Sequence, residues 1–172
     1  MTELEERRAQ KDEFFRTSPE SPLTDEQKAA FTGLRYYPEN AAYVFIVEPE
    51  PFDEVKNMGL QTSSGETIGL LIWAHAYFEV EGRMQCLTLF ADDPEGSALF
   101  LPFSDAGRGT ETYGAGRYLE PVRLADGRLK LDFNDAYNPY CAYNDGWMCP
   151  LTPPENRLSV RIPAGEMLFH DE

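Results

Sequence analysis

The run from Thr67 to Val80 constrains this chain more than any other segment. Ile68, Leu70, Ile72, Ala74, Ala76, Phe78 and Val80 fall on one side of it. Thr67, Gly69, Leu71, Trp73, His75, Tyr77 and Glu79 fall on the other. Successive side chains of an extended chain point to opposite faces, so this period of two predicts a long strand with one buried face. Such a strand needs partners for its main-chain N–H and C=O groups, so a sheet must form around it. Gly69 marks where it bends or breaks. Glu81-Gly82 turns the chain into a second strand, Arg83 to Phe90. As a two-residue turn it sets His75 opposite Thr88 and Tyr77 opposite Cys86.

The rest of the chain continues this texture. Tyr43 to Val47 is an apolar, aromatic and β-branched run that reads as a buried strand, and Ala98 to Phe103 reads as another. Gly116 to Leu124 and Arg128 to Phe133 form a hairpin around Asp126-Gly127. Leu158, Val160 and Ile162 mark a late strand, and Pro163-Ala164-Gly165 leads into a short final one. Helices belong to the N-terminal third. Thr2 and Glu5 have capping-box spacing and open a charged helix to about Phe15, anchored by Phe14 and Phe15. Thr24 and Gln27 repeat the spacing for a short helix ending near Gly33. The expected fold is therefore mainly β: a single antiparallel, barrel-like sheet of about eight strands with one or two N-terminal helices. One domain spans residues 1–172, with a helical segment at 1–33, a β core at 34–172 and a long functional loop at 134–157.

Composition narrows the partners. The 172 residues carry 30 acidic against 15 basic side chains, a formal net charge of −15. So negative a surface repels phosphate backbones, making nucleic acid and anionic membranes poor partners. No window approaches the roughly 20 apolar residues of a spanning helix. The charged start, Met1 to Phe15, lacks the apolar segment of a signal peptide, which points to the cytoplasm. Cys86, Cys141 and Cys149 fit that compartment as free thiols.

Familiar catalytic signatures are missing. The sequence has no G-x-S-x-G elbow, phosphate-cradling Gly-rich loop or H-E-x-x-H, and no cofactor is evident. Three features remain as candidates. His75, flanked by Trp73 and Tyr77, has the company of a pocket wall, although a satisfied strand histidine is the simpler reading. Around the small residues Gly114 and Gly116, Arg117 offers a rigid fork for a carboxylate or phosphate, or a partner for a local acid. The densest feature runs from Asp132 to Tyr143 and on through Cys149 to Arg157. Its aromatics Tyr137, Tyr140, Tyr143 and Trp147 argue for an ordered loop. Cys141 and Cys149 fit two packed thiols first, a disulfide second and a metal site third, because the C-x2-C spacing of zinc modules is absent.

Read in order, several motifs resemble the bacterial and archaeal domain-of-unknown-function family 1684. They are Leu101-Pro102-Phe103-Ser104-Asp105, Glu111-Thr112-Tyr113-Gly114-Ala115-Gly116-Arg117-Tyr118-Leu119, Leu131-Asp132-Phe133-Asn134 and Ala136-Tyr137-Asn138-Pro139-Tyr140-Cys141-Ala142-Tyr143. Cys149-Pro150-Leu151, Pro153-Pro154-Glu155-Asn156-Arg157-Leu158 and Ala164-Gly165-Glu166 complete the series. Phe14-Phe15, Ser21-Pro22-Leu23 and Leu34-Arg35-Tyr36-Tyr37-Pro38 extend it toward the N-terminus, and Gln61 to Phe90 matches more loosely. The resemblance implies one self-contained domain in which the segments from Glu111 to Tyr118 and from Asp132 to Cys149 share a site. It implies no reaction.

Two functions follow as expectations. The first is a pocket for a small polar or anionic molecule, with or without catalysis. Arg117 would hold the anion, Asn134 and Asn138 would orient it, and Tyr113, Tyr137, Cys141, Trp73 and His75 would supply walls. Glu111 or Asp132 would be the general base, on the condition that burial raises its pKa toward neutrality. The second is a structural or protein-interaction module whose polar motifs form a buried hydrogen-bond network.

Overall fold

The computed structural model of the chain describes residues 1–170. Two helices, α1 (Glu3–Thr17) and α2 (Asp25–Ala30), precede eight strands. These are β1 (Val44–Val47), β2 (Glu50–Gln61), β3 (Thr67–Val80), β4 (Arg83–Ala91), β5 (Leu99–Phe103), β6 (Arg117–Leu119), β7 (Val122–Arg123) and β8 (Leu129–Asp132). They form two antiparallel sheets, a three-stranded one in the order β1-β8-β7 and a five-stranded one in the order β2-β3-β4-β5-β6.

The mainly β, antiparallel expectation holds, but among the described residues no single sheet or closed barrel forms. The reason lies at Glu120-Pro121. Gly116 to Leu124 is not one strand, because Pro121 has no N–H for a ladder. The chain leaves the five-stranded sheet after Leu119 and enters the three-stranded one at Val122. The Asp126-Gly127 turn then closes as expected, with Gly127 at φ +89° and the Leu124 amide donating to the Arg128 carbonyl at 2.8 Å.

The hairpin that anchors the sheet also has the expected form. Glu81 and Gly82 both take positive φ, as a type I′ turn requires, and His75 pairs with Thr88 and Tyr77 with Cys86. The alternation is nevertheless interrupted. The β3–β4 register shifts between Ile72 and Ala74, leaving Trp73 as an extra residue, and Trp73 turns into the core. It therefore does not share the outward wall of His75 and Tyr77.

One strand carried no period-two signal. β2 lies at the edge of the five-stranded sheet, and its Pro51, Asp53, Glu54 and Lys56 are exposed. Charges and proline on an edge strand discourage pairing with other chains, so selection there works against alternation. The late strand is overturned in the opposite sense. Leu158, Val160 and Ile162 are buried, but their backbone joins no ladder beyond an isolated bridge between Ser104 and Arg157. The final strand is likewise reduced to a bridge between Tyr36 and Glu166.

The two sheets meet around aromatic rings. Phe133, just after β8, packs 5.9 Å from Phe45 of β1, 5.6 Å from Phe78 of β3 and 5.1 Å from Phe103 of β5, centroid to centroid. Removing any of the buried rings Phe78, Phe103 and Phe133 would cost about 3–5 kcal/mol, as large-to-small changes in a packed core do. Both capping boxes are present at Thr2 and Thr24. Phe15 fastens α1, edge-on to Tyr143 at 5.0 Å, whereas Phe14 stays partly exposed.

Candidate functional site

Arg117, at the start of β6, is 1% exposed, and its guanidinium serves the C-terminal segment rather than a cavity. Nη1 donates to the carbonyls of Ala164 (2.5 Å) and Glu166 (3.1 Å), and Nη2 donates to that of Ile162 (3.0 Å). The three carbonyls converge on one guanidinium because the segment turns, the Ala164 amide donating to the Ile162 carbonyl at 2.8 Å and Gly165 standing at φ +85°. Asp105 lies 3.8 Å away as its counter-charge and accepts from Thr112 Oγ1 and the Ile162 amide. Burial lowers the Arg117 pKa, against the pull of Asp105. With its guanidinium so engaged, Arg117 is not placed to receive an anionic ligand.

Asn138 belongs to the same network. Its Nδ2 donates to Glu166 Oε2 (2.8 Å) and to the Met167 carbonyl (3.0 Å). Glu166 is 1% exposed and also accepts from Lys11 Nζ of α1 at 2.8 Å and from the Tyr143 hydroxyl. Burial raises the Tyr143 pKa, and the Glu166 carboxylate adds to the rise. Glu166 thus ties α1, the long loop and the C-terminal segment together. Gly165 makes this possible: at φ +85° a Cβ would meet the Phe133 carbonyl oxygen at 2.6 Å. Asn156, fully buried, acts similarly elsewhere. Its amide accepts from the Thr88 N–H and donates to the carbonyls of Thr88 and Pro102, bridging β4 and β5.

The remaining polar candidates do not converge with these. Glu111 is clamped by Arg161 (Oε1 to Nη2 2.5 Å, Oε2 to Nε 3.0 Å) and accepts from the Tyr37 hydroxyl at 2.9 Å. The Arg161 hydrogen bonds hold its carboxyl below the usual value against the opposing effect of burial. The condition for a general base near neutrality is therefore not met at Glu111. Asp132 caps the 3₁₀ turn that follows it, accepting from the Asn134 amide and Nδ2 at 3.0 Å each. Asn134 also exchanges hydrogen bonds with the Asn40 backbone, fixing the entry to β1. His75 packs 4.3 Å from the Phe52 ring, and Trp73 donates to the Pro94 carbonyl beneath Arg123. Tyr113 is half-buried before the turn at Gly116 and does not line the groove described next.

What the long loop does enclose is an aromatic groove of about 340 Å³ against β5 and β6. Phe100, Tyr118, Tyr137, Tyr140, Trp147 and Met148 form its walls. Tyr118 and Tyr137 are held edge-on at 5.8 Å by mutual backbone hydrogen bonds. Phe100 stands 4.8 Å from Tyr118, and Tyr140 stands 5.1 Å from Trp147. Burial raises the pKa of both Tyr118 and Tyr137, so both stay neutral phenols. The polar rim is Glu120, which accepts from the Tyr137 hydroxyl at 3.1 Å. Of the residues singled out by sequence, Tyr137 and Asn138 line this groove, and Cys141 lies beside it against Cys149. Tyr118 and Met148 fall inside the two segments the resemblance joins without being singled out there. Phe100 and Glu120 were missed as site residues, because β6 meets the loop only in the fold, through the bridge between Tyr118 and Tyr137 and the Tyr118 hydroxyl on the Pro150 carbonyl. Among the described residues no three His, Cys, Asp or Glu side chains gather as a metal site. No helix there is long and apolar enough to cross a membrane.

Fold and site together define a two-sheet antiparallel β domain whose long loop is held by buried polar side chains. The chain belongs to the family described as protein of unknown function (DUF1684), which matches residues 29–167. It is similar to an uncharacterized protein of Haloarcula marismortui, whose structure was solved in solution by NMR. The two share 36% identity over 97% of this chain and 94% of that one, with a TM-score of 0.73. No curated protein matches the chain.

Proposed function

We propose that this domain binds a small, flat, uncharged or cationic molecule in the groove between β5, β6 and the long loop. The observation that carries this reading is the set of aromatic walls around about 340 Å³, the size range of a small-molecule site. An anionic ligand fits less well. The lining holds no Lys, Arg or His, and its one formal charge is the Glu120 carboxylate. Tyr and Trp faces attract cations through their ring quadrupoles, and a nearby carboxylate adds to that attraction.

Phenethylamine, 3-phenylpropionamide and 3-phenylpropionate test the proposal as cationic, neutral and anionic probes of one shape. In ¹H–¹⁵N NMR titrations the first two should shift the Trp147 indole and the Tyr137 and Tyr118 amides, and the third should not. Absence of shifts from all three, or shifts that survive Trp147→Ala and Tyr137→Ala together, would sink the reading.

A second reading, a structural or protein-interaction module, draws on a different observation. Arg117, Asn134, Asn156, Glu166 and the amide nitrogen of Asn138 find partners inside the molecule, and Asn138 Oδ1 is left without one among the described residues. In the binding reading that network is the frame of the groove, and in the module reading it is the whole purpose of the motifs. Exposed Trp147 and Met148 would then be the contact surface.

A further inference from the structure

Three cysteines occur in the chain, and they sit in unlike places. Cys86 lies on β4 opposite Tyr77, outside the long loop. Cys141 and Cys149 bracket that loop, and their sulfurs lie 2.7 Å apart. The loop between β2 and β3 pins both of them. The Cys149 amide donates to Ser63 Oγ (3.1 Å), the Ser63 amide donates to the Cys149 carbonyl (2.9 Å), and Ser63 Oγ lies 3.2 Å from Cys141 Sγ. Ser63 Oγ also donates to the Trp147 carbonyl at 2.7 Å. A thiol pair held from a separate strand connection needs no search to meet, and no third His, Cys, Asp or Glu joins it among the described residues to make a metal site.

We infer that Cys141 and Cys149 are a reversible dithiol–disulfide site, oxidised by a small disulfide such as glutathione disulfide. The half-exposed Cys141 is the entry point. Its thiolate attacks one sulfur of the oxidant, forming a mixed disulfide and releasing one glutathione thiol. Cys149 then loses its proton and displaces the second glutathione from Cys141, so two protein thiols are oxidised and one disulfide is reduced to two thiols. Burial pushes the Cys149 thiol up to about 11, so the more accessible Cys141 is the sulfur that attacks first. The closed loop carries Trp147 and Met148, which line the aromatic groove. Oxidation therefore locks that lip in place, a consequence that rests on the binding reading, whereas the chemistry does not.

Full-length protein equilibrated across a series of reduced-to-oxidised glutathione ratios, alkylated and weighed intact, tests the site. The wild type should pass from three alkylated thiols to one, on Cys86, and become lighter by two hydrogens before alkylation. Cys149→Ser should instead trap one glutathione on Cys141. Locking should raise the melting temperature by about 5–10 °C, as closing a short loop does in a domain this size. Full alkylation at every ratio, a mixed disulfide that persists in the wild type, or a lower melting temperature on oxidation would overturn the proposal. The phenethylamine titration, run on both forms, separates the two ideas. If the disulfide forms but the probe binds neither form, the groove reading fails and the thiol site stands.

Discussion

The frame around Glu166 and the groove around Trp147 are built from the same loop by opposite means. In the frame, charged and amide side chains are buried almost completely and matched to main-chain groups and to one another across distant segments. In the groove, Phe100, Tyr137, Tyr140 and Trp147 stay partly open to solvent over a buried Tyr118, and the polar atoms are confined to a rim. The contrast teaches where the energy lies. Buried polar groups are expensive when unpaired, so the frame should govern stability. Rings half-exposed at a surface contribute little to folding but present contact area, so the groove should govern binding.

Breaking the frame should have the largest effect. Arg117→Met leaves the Ala164 and Glu166 carbonyls without their donor and Asp105 without its counter-charge in the interior, and should cost about 3–5 kcal/mol, seen as a lower urea midpoint at unchanged slope. A loss under about 1 kcal/mol would mean that the guanidinium is not what holds the turned C-terminal segment in place. Glu166→Gln keeps the shape but weakens the contacts to Lys11, Asn138 and Tyr143. It should cost about 1–3 kcal/mol in the same assay.

A smaller effect should appear with pH at the Glu111–Arg161 pair. The Glu111 carboxyl is held below its usual value of 4.5, chiefly by Arg161. Its contribution to stability is therefore complete above 4.5 and fades as pH falls through the lower folded value. Glu111→Gln should flatten the acid side of the stability curve by removing a small contribution at neutral pH, small because the pair is solvent-screened. Trp147→Ala should move stability least, by about 1 kcal/mol or less, yet abolish the phenethylamine response. A Trp147→Ala variant that loses several kcal/mol would erase the distinction between frame and groove.

Sequence and structure agree most closely where the signal is local. The alternation from Thr67 to Val80, the Glu81-Gly82 and Asp126-Gly127 turns and both capping boxes all follow from the residues that form them. Residue type also marked Asn138, Arg117 and Tyr137 as special, but it did not say what each would touch. Arg117 reads equally as a ligand fork or a buried strap. The choice depends on the carbonyls of residues 162 to 166, which are 45 to 49 positions away. Glu120 and Phe100 carried no site signal, since their role arises only where the loop folds back on β5 and β6.

The sequence by itself therefore determined a mainly β, antiparallel chain with two capped helices, because turn chemistry and period-two patterning act over a few residues. Tertiary structure alone decided that the sheet divides at Pro121, that Trp73 turns inward at a bulge, and that the polar motifs brace an aromatic groove. Those outcomes rest on which buried donors and acceptors can meet across the fold, and that is a property of the assembled chain.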